Sequence, residues 1–303
     1  MKSLDQYAND YFNTHLDALN SFYPGLRIEV LKRELEVYLF GVESHNGKRL
    51  KEFPFLQGHH QKAMSFFRSI DKGIPLPYIT GKAFFYKSDF FVNPDVLIPR
   101  SETEILVEDS VGLLKKMRNE KGDSGEDLKI LEVGTGSGAL ILSLLSDLDF
   151  SVDALATDIS GKALEMARKN YFHAQYGIHS GTKLSFLEAD RLFFNEKEGL
   201  TFDLIVSNPP YIKREGDFSL VHEKVHEYEP HQALYLKDEE YLVWFDTFFD
   251  QVKKALNQGG IFIMEGHENH LESLQTLFLT KNVQKVELKK DYCDRIRFLI
   301  VKV

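Results

Sequence analysis

Apolar side chains recur every three or four positions in the first part of the chain. The repeat includes Leu4, Tyr7, Tyr11, Phe12, Leu16, Leu19, Leu31, Leu35 and Leu39. A period of this length places the apolar residues on one face of an α-helix, so the pattern predicts amphipathic helices. A further helix is predicted to end near Asp71, before the proline-containing stretch KGIPLPYITG. Residues 1–77 are therefore expected to form a small helical domain.

The pattern changes to an alternation of aromatic and polar residues in AFFYKSDFFVNPDVLIP, residues 83–99. Alternation with a period of two is typical of a β-hairpin, and we expect a hairpin linker over residues 78–99. Ser101 is followed three positions later by Glu104, which is the spacing of a capping box. We expect this box to begin a helix that runs to about Arg118.

Short β-rich runs alternate with helical stretches from Lys129 to the end of the chain. The runs are KILEV, DALAT, LSFLE, DLIVS and GIFIM, followed by VQKVELKK and RIRFLIVKV. Strands that alternate with helices indicate a mostly parallel sheet covered by helices on both faces. The last two runs lie close together, and we expect them to complete the sheet as an antiparallel pair. Residues 100–303 are thus predicted to form an α/β domain with a seven-stranded sheet.

The composition is that of an ordinary soluble protein, and its charge argues against nucleic acid as a partner. Of 303 residues, 43% are hydrophobic and 27% are charged, and 46 acidic against 37 basic side chains give a formal net charge of -9. Proteins that bind the phosphate backbone usually carry basic patches.

The opening stretch MKSLDQYANDYFNTHLDAL interrupts its apolar positions with Asp, Asn and Gln, which is typical neither of a signal peptide nor of a membrane span. Cys293 is the only cysteine, so no intramolecular disulfide can form. We expect a cytoplasmic monomer without membrane contact.

A glycine-rich loop follows the first run of the predicted sheet. In ILEVGTGSGALIL, Gly134, Gly136 and Gly138 stand directly after a predicted strand and before a predicted helix, with Thr135 and Ser137 between them. Glycines let the backbone turn sharply and approach a ligand, and the start of the helix offers free N–H groups. The spacing G-x-G-x-G differs from the dinucleotide fingerprint. The loop alone leaves its ligand open.

Acidic residues stand at the ends of the next two predicted strands. Asp158 lies 24 positions beyond Gly134, close to the spacing of about 20 at which a carboxylate binds a ribose in dinucleotide-binding folds. The alternative is that Asp158 only caps the helix that starts near Ser160. Asp190 ends the third predicted strand. Ligands in open α/β sheets bind outside the carboxyl ends of the strands, so these residues together predict a nucleoside ligand.

The stretch IVSNPPYIK, Ile205–Lys213, ends the fourth predicted strand with two prolines, which cannot donate to a sheet. It places Asn208, Pro209, Pro210 and Tyr211 at the same edge. An amide or amino nitrogen held there can donate its two N–H groups to the Asn208 side-chain oxygen and the Pro209 carbonyl, which leaves the nitrogen facing a methyl donor. Such positioning can supply several of the ~7–11 kcal/mol that ideal orientation provides. Tyr211 is predicted to stack on the planar acceptor or to lie near a sulfonium methyl. The alternative is an ordinary strand end with a buried asparagine.

The two loops together resemble those of the Rossmann-like S-adenosylmethionine methyltransferases, and within them the peptide chain release factor glutamine methyltransferases. The resemblance extends over PLPYITGKAFFYKSDFFVNPDVLIPRSETEILVE, ILEVGTGSGAL, IVSNPPYI and YEPHQAL. It departs at Ser101, where the family usually has proline, and at LYLKDEEYL, residues 234–242, where a glycine-rich GGxDGL is common.

The resemblance implies transfer of a methyl group to the glutamine amide in the Gly-Gly-Gln loop of class I release factors, with the helical domain helping to hold that partner. It implies that S-adenosylmethionine is held by Gly134, Thr135, Gly136, Ser137, Gly138 and Asp158, with Asp190 and Arg191 beside the adenine. It implies that the glutamine is held by Asn208, Pro209, Pro210 and Tyr211. Asn208, Pro209 and Tyr211 would be catalytic, and Asn208 would also contact the cofactor.

Other interpretations remain open at this point. HEKVH, His222–His226, matches a zinc-protease pattern, but the helix available before Pro230 is short, and we expect no metal. His59, His60, His267 and His270 are expected to be solvated or capping side chains. A methyltransferase that acts on adenine or cytosine in nucleic acid, or on a glutamine of a ribosomal protein, is the second functional class. A nicotinamide-dependent oxidoreductase or a silent nucleotide-binding module is the third.

Overall fold

The computed structural model describes residues 3–41, 50, 57–122 and 126–303. The chain divides into two compact units. The first consists of Met1–Lys82 and His222–Tyr228, and the second of Ala83–Val221 and Glu229–Val303. Within the described ranges, no helix has both the length and the apolar character that crossing a bilayer requires.

The helices of the described residues are α1 (Leu4–Thr14), α2 (Leu16–Phe22), α3 (Ile28–Phe40), α4 (Gln57–Asp71), α5 (Leu76–Thr80), α6 (Glu104–Lys121), α7 (Ala139–Ser146), α8 (Gly161–Ala174), α9 (Asn195–Glu198), α10 (Glu223–Tyr228), α11 (His231–Leu234), α12 (Tyr241–Ala255) and α13 (Leu271–Leu279). The strands are β1 (Lys82–Phe85), β2 (Ser88–Phe91), β3 (Leu128–Val133), β4 (Val152–Asp158), β5 (Lys183–Glu188), β6 (Phe202–Ser207), β7 (Ile212–Lys213), β8 (Tyr235–Leu236), β9 (Leu256–Glu265), β10 (Lys285–Lys290) and β11 (Ile296–Lys302).

The first unit is helical and has its own hydrophobic core. A capping box begins α1, because the Ser3 hydroxyl accepts the Gln6 N–H at 3.2 Å and the Gln6 side chain accepts the Ser3 N–H at 3.0 Å. Of the apolar positions predicted from the period, Leu4, Leu31 and Leu35 are fully enclosed, whereas Leu16 is 42% exposed. Ala8, Phe66 and Ile70 complete the enclosed core. Helix α4 ends at Asp71, as the sequence predicts.

The predicted hairpin is present, since β1 pairs with β2 in a two-stranded sheet. The prediction of a capping box at Ser101 and Glu104 is wrong. Ser101–Thr103 form a 3₁₀ turn, and α6 begins at Glu104 without a side-chain hydrogen bond at its N-cap. The Glu104 carboxylate instead accepts the N–H of Tyr86 at 2.9 Å. Tyr86 lies in the turn of the hairpin and has φ 58°. The Glu104 carboxylate, which would accept the Ser101 N–H in a capping box, is therefore engaged by a residue of the hairpin instead.

The large sheet has the strand order β10-β11-β9-β6-β3-β4-β5. The pairs among β3, β4, β5, β6 and β9 are parallel, whereas β11 runs antiparallel to both β9 and β10. This confirms the seven-stranded, mostly parallel sheet and its antiparallel end. Side chains alternate between two cores: Ile130 and Leu204 belong to one, and Leu131 and Ile205 to the other. Both faces of the sheet are therefore covered.

The strand order changes direction between β3 and β6. From β3 the chain proceeds outward through β4 and β5, and it then returns to place β6 on the other side of β3. Val133 and Ser207, the last residues of these two strands, are register partners. Ligands of open α/β sheets bind at such a switch point, outside the carboxyl ends of the strands. The two loops that follow Val133 and Ser207 therefore lie where a ligand is expected to bind.

Candidate active site

A cavity of about 820 Å³ lies at this switch point. Its wall includes most of the residues predicted from the sequence: Gly134, Thr135, Gly136, Ser137, Asp158, Asp190, Arg191, Asn208, Pro209 and Pro210. Gly138 and Tyr211 are not among the lining residues. The fold therefore brings the end of β4, the end of β5 and both loops together around one space.

The glycine loop needs its glycines for two different reasons. Gly134, Gly136 and Gly138 all have positive φ, at 78°, 55° and 79°, which a side chain rarely tolerates. A Cβ on Gly138 would also lie 3.2 Å from the Cβ of Ala167 in α8, closer than ordinary van der Waals contact. Gly138 thus serves helix packing, whereas Gly134 and Gly136 give backbone access to the cavity.

Asp158 connects the end of β4 to the glycine loop. One carboxylate oxygen accepts the Gly136 N–H at 2.8 Å and the other accepts the Ser160 N–H at 2.9 Å. Ser160 itself caps α8, since its hydroxyl accepts the Ala163 N–H at 3.2 Å. Burial raises the pKa of the Asp158 carboxyl. The capping interpretation of Asp158 is therefore replaced by a loop-fixing role, and each carboxylate oxygen retains a lone pair for a further donor.

Glu132 is a cavity residue that the sequence reasoning missed. It lies in β3, is 2% exposed, and accepts a hydrogen bond from the Thr135 hydroxyl. Burial, together with the nearby negative charge of Asp158, raises the pKa of its carboxyl to about 8. A cation in the cavity would favour the ionised form. The signal was available in the sequence, because a charged residue interrupts the apolar run ILEV immediately before the glycine loop.

Asp190 and Arg191 line the cavity as a pair. The Arg191 guanidinium donates two hydrogen bonds to the Asp190 carboxylate, at 3.0 Å and 3.1 Å. It also lies 4.7 Å from the ring centroid of Phe193 and 5.1 Å from that of Trp244. Arg191 has φ 47°. These contacts hold a strained backbone and a planar side chain at the rim of the cavity.

Asn208 begins the acceptor loop beside the glycine loop. Its backbone carbonyl lies 3.9 Å from the position that a Cβ on Gly134 would occupy. Its side-chain nitrogen donates to the Thr103 hydroxyl at 3.1 Å. Because the nitrogen is engaged in this way, the side-chain oxygen is the end of the amide that remains as an acceptor.

Tyr211 lies behind the acceptor loop rather than in the wall of the cavity. Its hydroxyl donates to the buried Glu265 carboxylate at 2.8 Å, and its partly buried ring packs against the core that contains Leu131 and Ile205. A buried carboxylate needs hydrogen-bond donors, and Tyr211 supplies one. The hydroxyl of Tyr211 is thus bound at the end of β9, and the stacking of its ring on an acceptor stays a prediction.

Two stretches that are distant in the sequence meet through an ion pair. The Arg100 guanidinium lies 2.6 Å from Glu229, and the second oxygen of this buried carboxylate accepts the Ile98 N–H at 3.2 Å. Arg100 also lines the cavity. The pair joins the IPR segment to the YEP segment, and no local pattern in the sequence reveals it.

Residues 234–242, where the sequence departs from the pattern described above, are hydrogen-bonded to another loop through Asp238. Asp238 lies in a 3₁₀ turn, and its carboxylate accepts the N–H groups of Glu215 and Gly216, each at 2.9 Å. The Asp238 carboxylate therefore fixes the loop that follows β7.

Three of the histidines make hydrogen bonds within the protein. His222 precedes the six-residue helix α10, and its Nδ1 accepts the Lys224 N–H at 3.2 Å. His267 Nδ1 accepts the Asn269 N–H at 3.2 Å. His270 Nε2 lies 2.8 Å from Asp217. Ligand atoms of Asp217, His267 and His270 lie within 4.8 Å of one another, and His270 and Asp217 are bonded directly to each other.

Comparison with known proteins adds independent information. A family model described as a methyltransferase domain matches residues 124–296. A release factor glutamine methyltransferase of Flavobacterium psychrophilum is 34% identical over 75% of this chain and 75% of its own length. One of Leptospira interrogans is 36% identical over 76% of this chain and 75% of its own length. The solved hMettl16 catalytic domain, in complex with MAT2A 3'UTR hairpin 1, shares the fold, with a TM-score of 0.51, 15% identity, and coverage of 94% of this chain and 90% of that one.

Proposed function

The chain belongs to the release factor glutamine methyltransferase family, and we propose that it transfers a methyl group from S-adenosylmethionine to the side-chain amide nitrogen of the glutamine in the Gly-Gly-Gln loop of class I peptide chain release factors. The observation that carries this proposal is the shared cavity of the glycine loop and the Asn208-Pro209-Pro210 loop. A methyl donor and a planar amide must meet within bonding reach, and these two loops leave neighbouring strands side by side.

The residues around the cavity fit S-adenosylmethionine. The volume of about 820 Å³ lies within the range of roughly 300–1,000 Å³ that is usual for ligand sites. Gly134 and Gly136 allow close approach of the backbone, and the free lone pairs of Asp158 suit ribose hydroxyls. We assign Asp190 and Arg191 to the adenine side, since they lie at the end of β5. Glu132 offers a buried carboxylate that favours a positively charged ligand.

S-adenosylmethionine supplies a methyl carbon that is electrophilic because it is bonded to a sulfonium sulfur. The contribution of the chain is to orient a weak nucleophile. In our proposal, the Asn208 side-chain oxygen and the Pro209 carbonyl accept the two N–H groups of the glutamine amide. As the nitrogen–carbon bond forms, the methyl–sulfur bond would break with its electron pair left on sulfur, and the nitrogen gains positive charge, which the two fixed oxygens stabilise. The nitrogen then loses one proton to solvent, so no strong base is required.

We also propose that three parts of the chain have different roles. Residues 1–77 recognise the release factor, residues 78–99 act as a linker, and residues 100–303 carry methyl transfer. The separate hydrophobic core of α1 to α5 supports the first assignment, because a unit with its own core can present a binding surface independently. The net charge of -9 supports a protein rather than a nucleic acid substrate.

The proposal is tested by incubating the purified chain with S-adenosylmethionine and a purified release factor. Peptide mass spectrometry should find a single added methylene on the Gly-Gly-Gln glutamine. A release factor with glutamate in place of that glutamine is the matched control and should stay unmodified. Parallel reactions contain single-stranded DNA or ribosomal protein. Methylation of a nucleobase or of ribosomal protein without methylation of the release factor would overturn the proposal in favour of the second class.

A further inference from the structure

Four side chains beside the acceptor loop form one continuous hydrogen-bonded network. Asn208 Nδ2 donates to Thr103 Oγ1 at 3.1 Å, and Thr103 Oγ1 lies 2.6 Å from Glu265 Oε2. Tyr211 completes the set, with its hydroxyl 2.8 Å from Glu265 Oε1. Thr103 belongs to the turn before α6 and Glu265 to the end of β9, so the network joins three parts of the chain that are far apart in sequence.

The direction of each hydrogen bond follows from the number of protons available. The hydroxyls of Thr103 and Tyr211 both donate to the Glu265 carboxylate, which is the direction that an ionised carboxylate requires. Burial raises the pKa of the Glu265 carboxyl, and these two hydrogen bonds and the charge of Arg297 oppose that rise. Thr103 has a single hydroxyl proton, and that proton is used on Glu265. Toward Asn208, Thr103 can therefore only accept, which requires the NH₂ end of the Asn208 amide to face it.

Burial makes this arrangement costly to change. Glu265 is 1% exposed and Thr103 is 6% exposed, so water does not readily replace a lost partner. A buried polar group left without a partner destabilises the fold, and more so when the group is charged. Glu265 is also held in the sheet by its register pairing with Phe298. The anchor of the network is therefore a rigid strand.

We propose that Thr103 and Glu265 are positioning residues for methyl transfer, because they fix the Asn208 amide with its oxygen available to the N–H groups of the substrate. This inference rests on the proposed function. If the amide rotated by half a turn, its NH₂ group would face the NH₂ group of the glutamine, and two donors would oppose each other. The network thus determines which end of Asn208 the substrate meets. Tyr211 contributes by occupying the second oxygen of Glu265.

The first test compares a substitution that removes the hydroxyl of Thr103 and preserves its shape with one that keeps the hydroxyl. Thr103→Val removes the acceptor for Asn208, and we expect kcat to fall roughly 10- to 100-fold, with an unchanged dissociation constant for S-adenosylmethionine. Thr103→Ser retains the hydroxyl and should restore most of the activity. Thr276→Val, which removes an exposed hydroxyl from α13, is the matched control. Equal kcat for Thr103→Val and the unmodified enzyme would overturn the inference.

A double-mutant cycle separates positioning from a general structural role. If Thr103 acts through Asn208, Thr103→Val should reduce kcat no further in a chain that already carries Asn208→Ala. Independent, multiplying losses in the double variant would indicate that Thr103 only supports the fold, and would refute the proposed role.

A third measurement does not require a methyl acceptor. The side-chain NH₂ signal of Asn208 in a ¹⁵N-correlated NMR spectrum can be assigned by its loss in Asn208→Ala. We expect slow solvent exchange of this group in the unmodified chain and in Thr103→Ser, and faster exchange in Thr103→Val. If this response is found but the release factor is not methylated, only the proposed function fails. If exchange does not respond to Thr103→Val, the positioning inference fails.

Discussion

The Ser207 hydroxyl donates a hydrogen bond of 2.7 Å to the backbone carbonyl of Val133. The two residues are also register partners and are the last residues of β6 and β3. The next residue after Val133 is Gly134, and the next after Ser207 is Asn208. The bond therefore fixes the starting points of the glycine loop and the acceptor loop beside each other, which explains why both loops line one cavity.

Asn208→Ala is predicted to lower turnover by roughly 10²–10³, the loss typical of one preorganised polar contact. The substitution removes the oxygen that accepts from the substrate amide, while the glycine loop and Asp158 stay in place. The dissociation constant for S-adenosylmethionine, measured by calorimetry, should remain nearly the same. Gln175→Ala, which removes an amide that donates to the Phe172 carbonyl outside the cavity, serves as the control. Unchanged turnover in Asn208→Ala would contradict its role.

Asp158→Ala is predicted to weaken cofactor binding by roughly 10- to 100-fold, as expected for loss of one or two charge-assisted hydrogen bonds. The change removes the acceptor for the Gly136 N–H as well as the expected acceptor for ribose hydroxyls. Calorimetric titration with S-adenosylmethionine provides the measurement. Asp153→Ala is a suitable control, because Asp153 lies in the same strand but is exposed. A dissociation constant equal to that of the unmodified chain would reject the assignment.

The sequence predicted features that depend on neighbouring residues and failed for features that depend on distant ones. The period of two indicated the hairpin, and the run IVSNPPY indicated the end of β6, because both are local. The partner of Tyr211 was missed, since Glu265 is 54 positions away. The partner of Arg100 was missed for the same reason, because Glu229 is 129 positions away. The capping box failed because a distant N–H competed successfully for Glu104.

Gly138→Ala is predicted to destabilise the fold by about 1–3 kcal/mol, from a positive φ and an overpacked contact. The new methyl group would lie 3.2 Å from the Ala167 Cβ and 3.3 Å from its Cα. Gly112→Ala is the matched control, because Gly112 lies in α6, where an added methyl group would have nothing within 4 Å. That variant should gain up to about 1 kcal/mol through better helix propensity. Denaturant unfolding of both variants checks the contrast, and equal stabilities would contradict it.

Glu132→Gln is predicted to remove a dependence of stability on pH. The unfolded chain ionises Glu132 near 4.5, whereas the folded chain retains the proton until about pH 8. Between these values the folded state binds more protons than the unfolded state, so the free energy of unfolding falls as pH rises, by about 1.4 kcal/mol per pH unit. Glutamine has no such proton and can still accept from the Thr135 hydroxyl.

The Glu132 comparison is made by denaturant unfolding of both proteins, without cofactor, at several pH values between 4.5 and 8. A buried carboxyl away from this pair, such as Glu265, also has a raised pKa and contributes to both proteins alike, so the difference between the two reports on Glu132 together with its interaction with Asp158. Relative to the unmodified chain, Glu132→Gln should become progressively more stable as pH increases, and the difference should level off above about pH 8. A difference that stays constant across this range would mean that the folded chain does not hold the Glu132 proton. Burial and the charge of Asp158 would then not keep this carboxyl neutral.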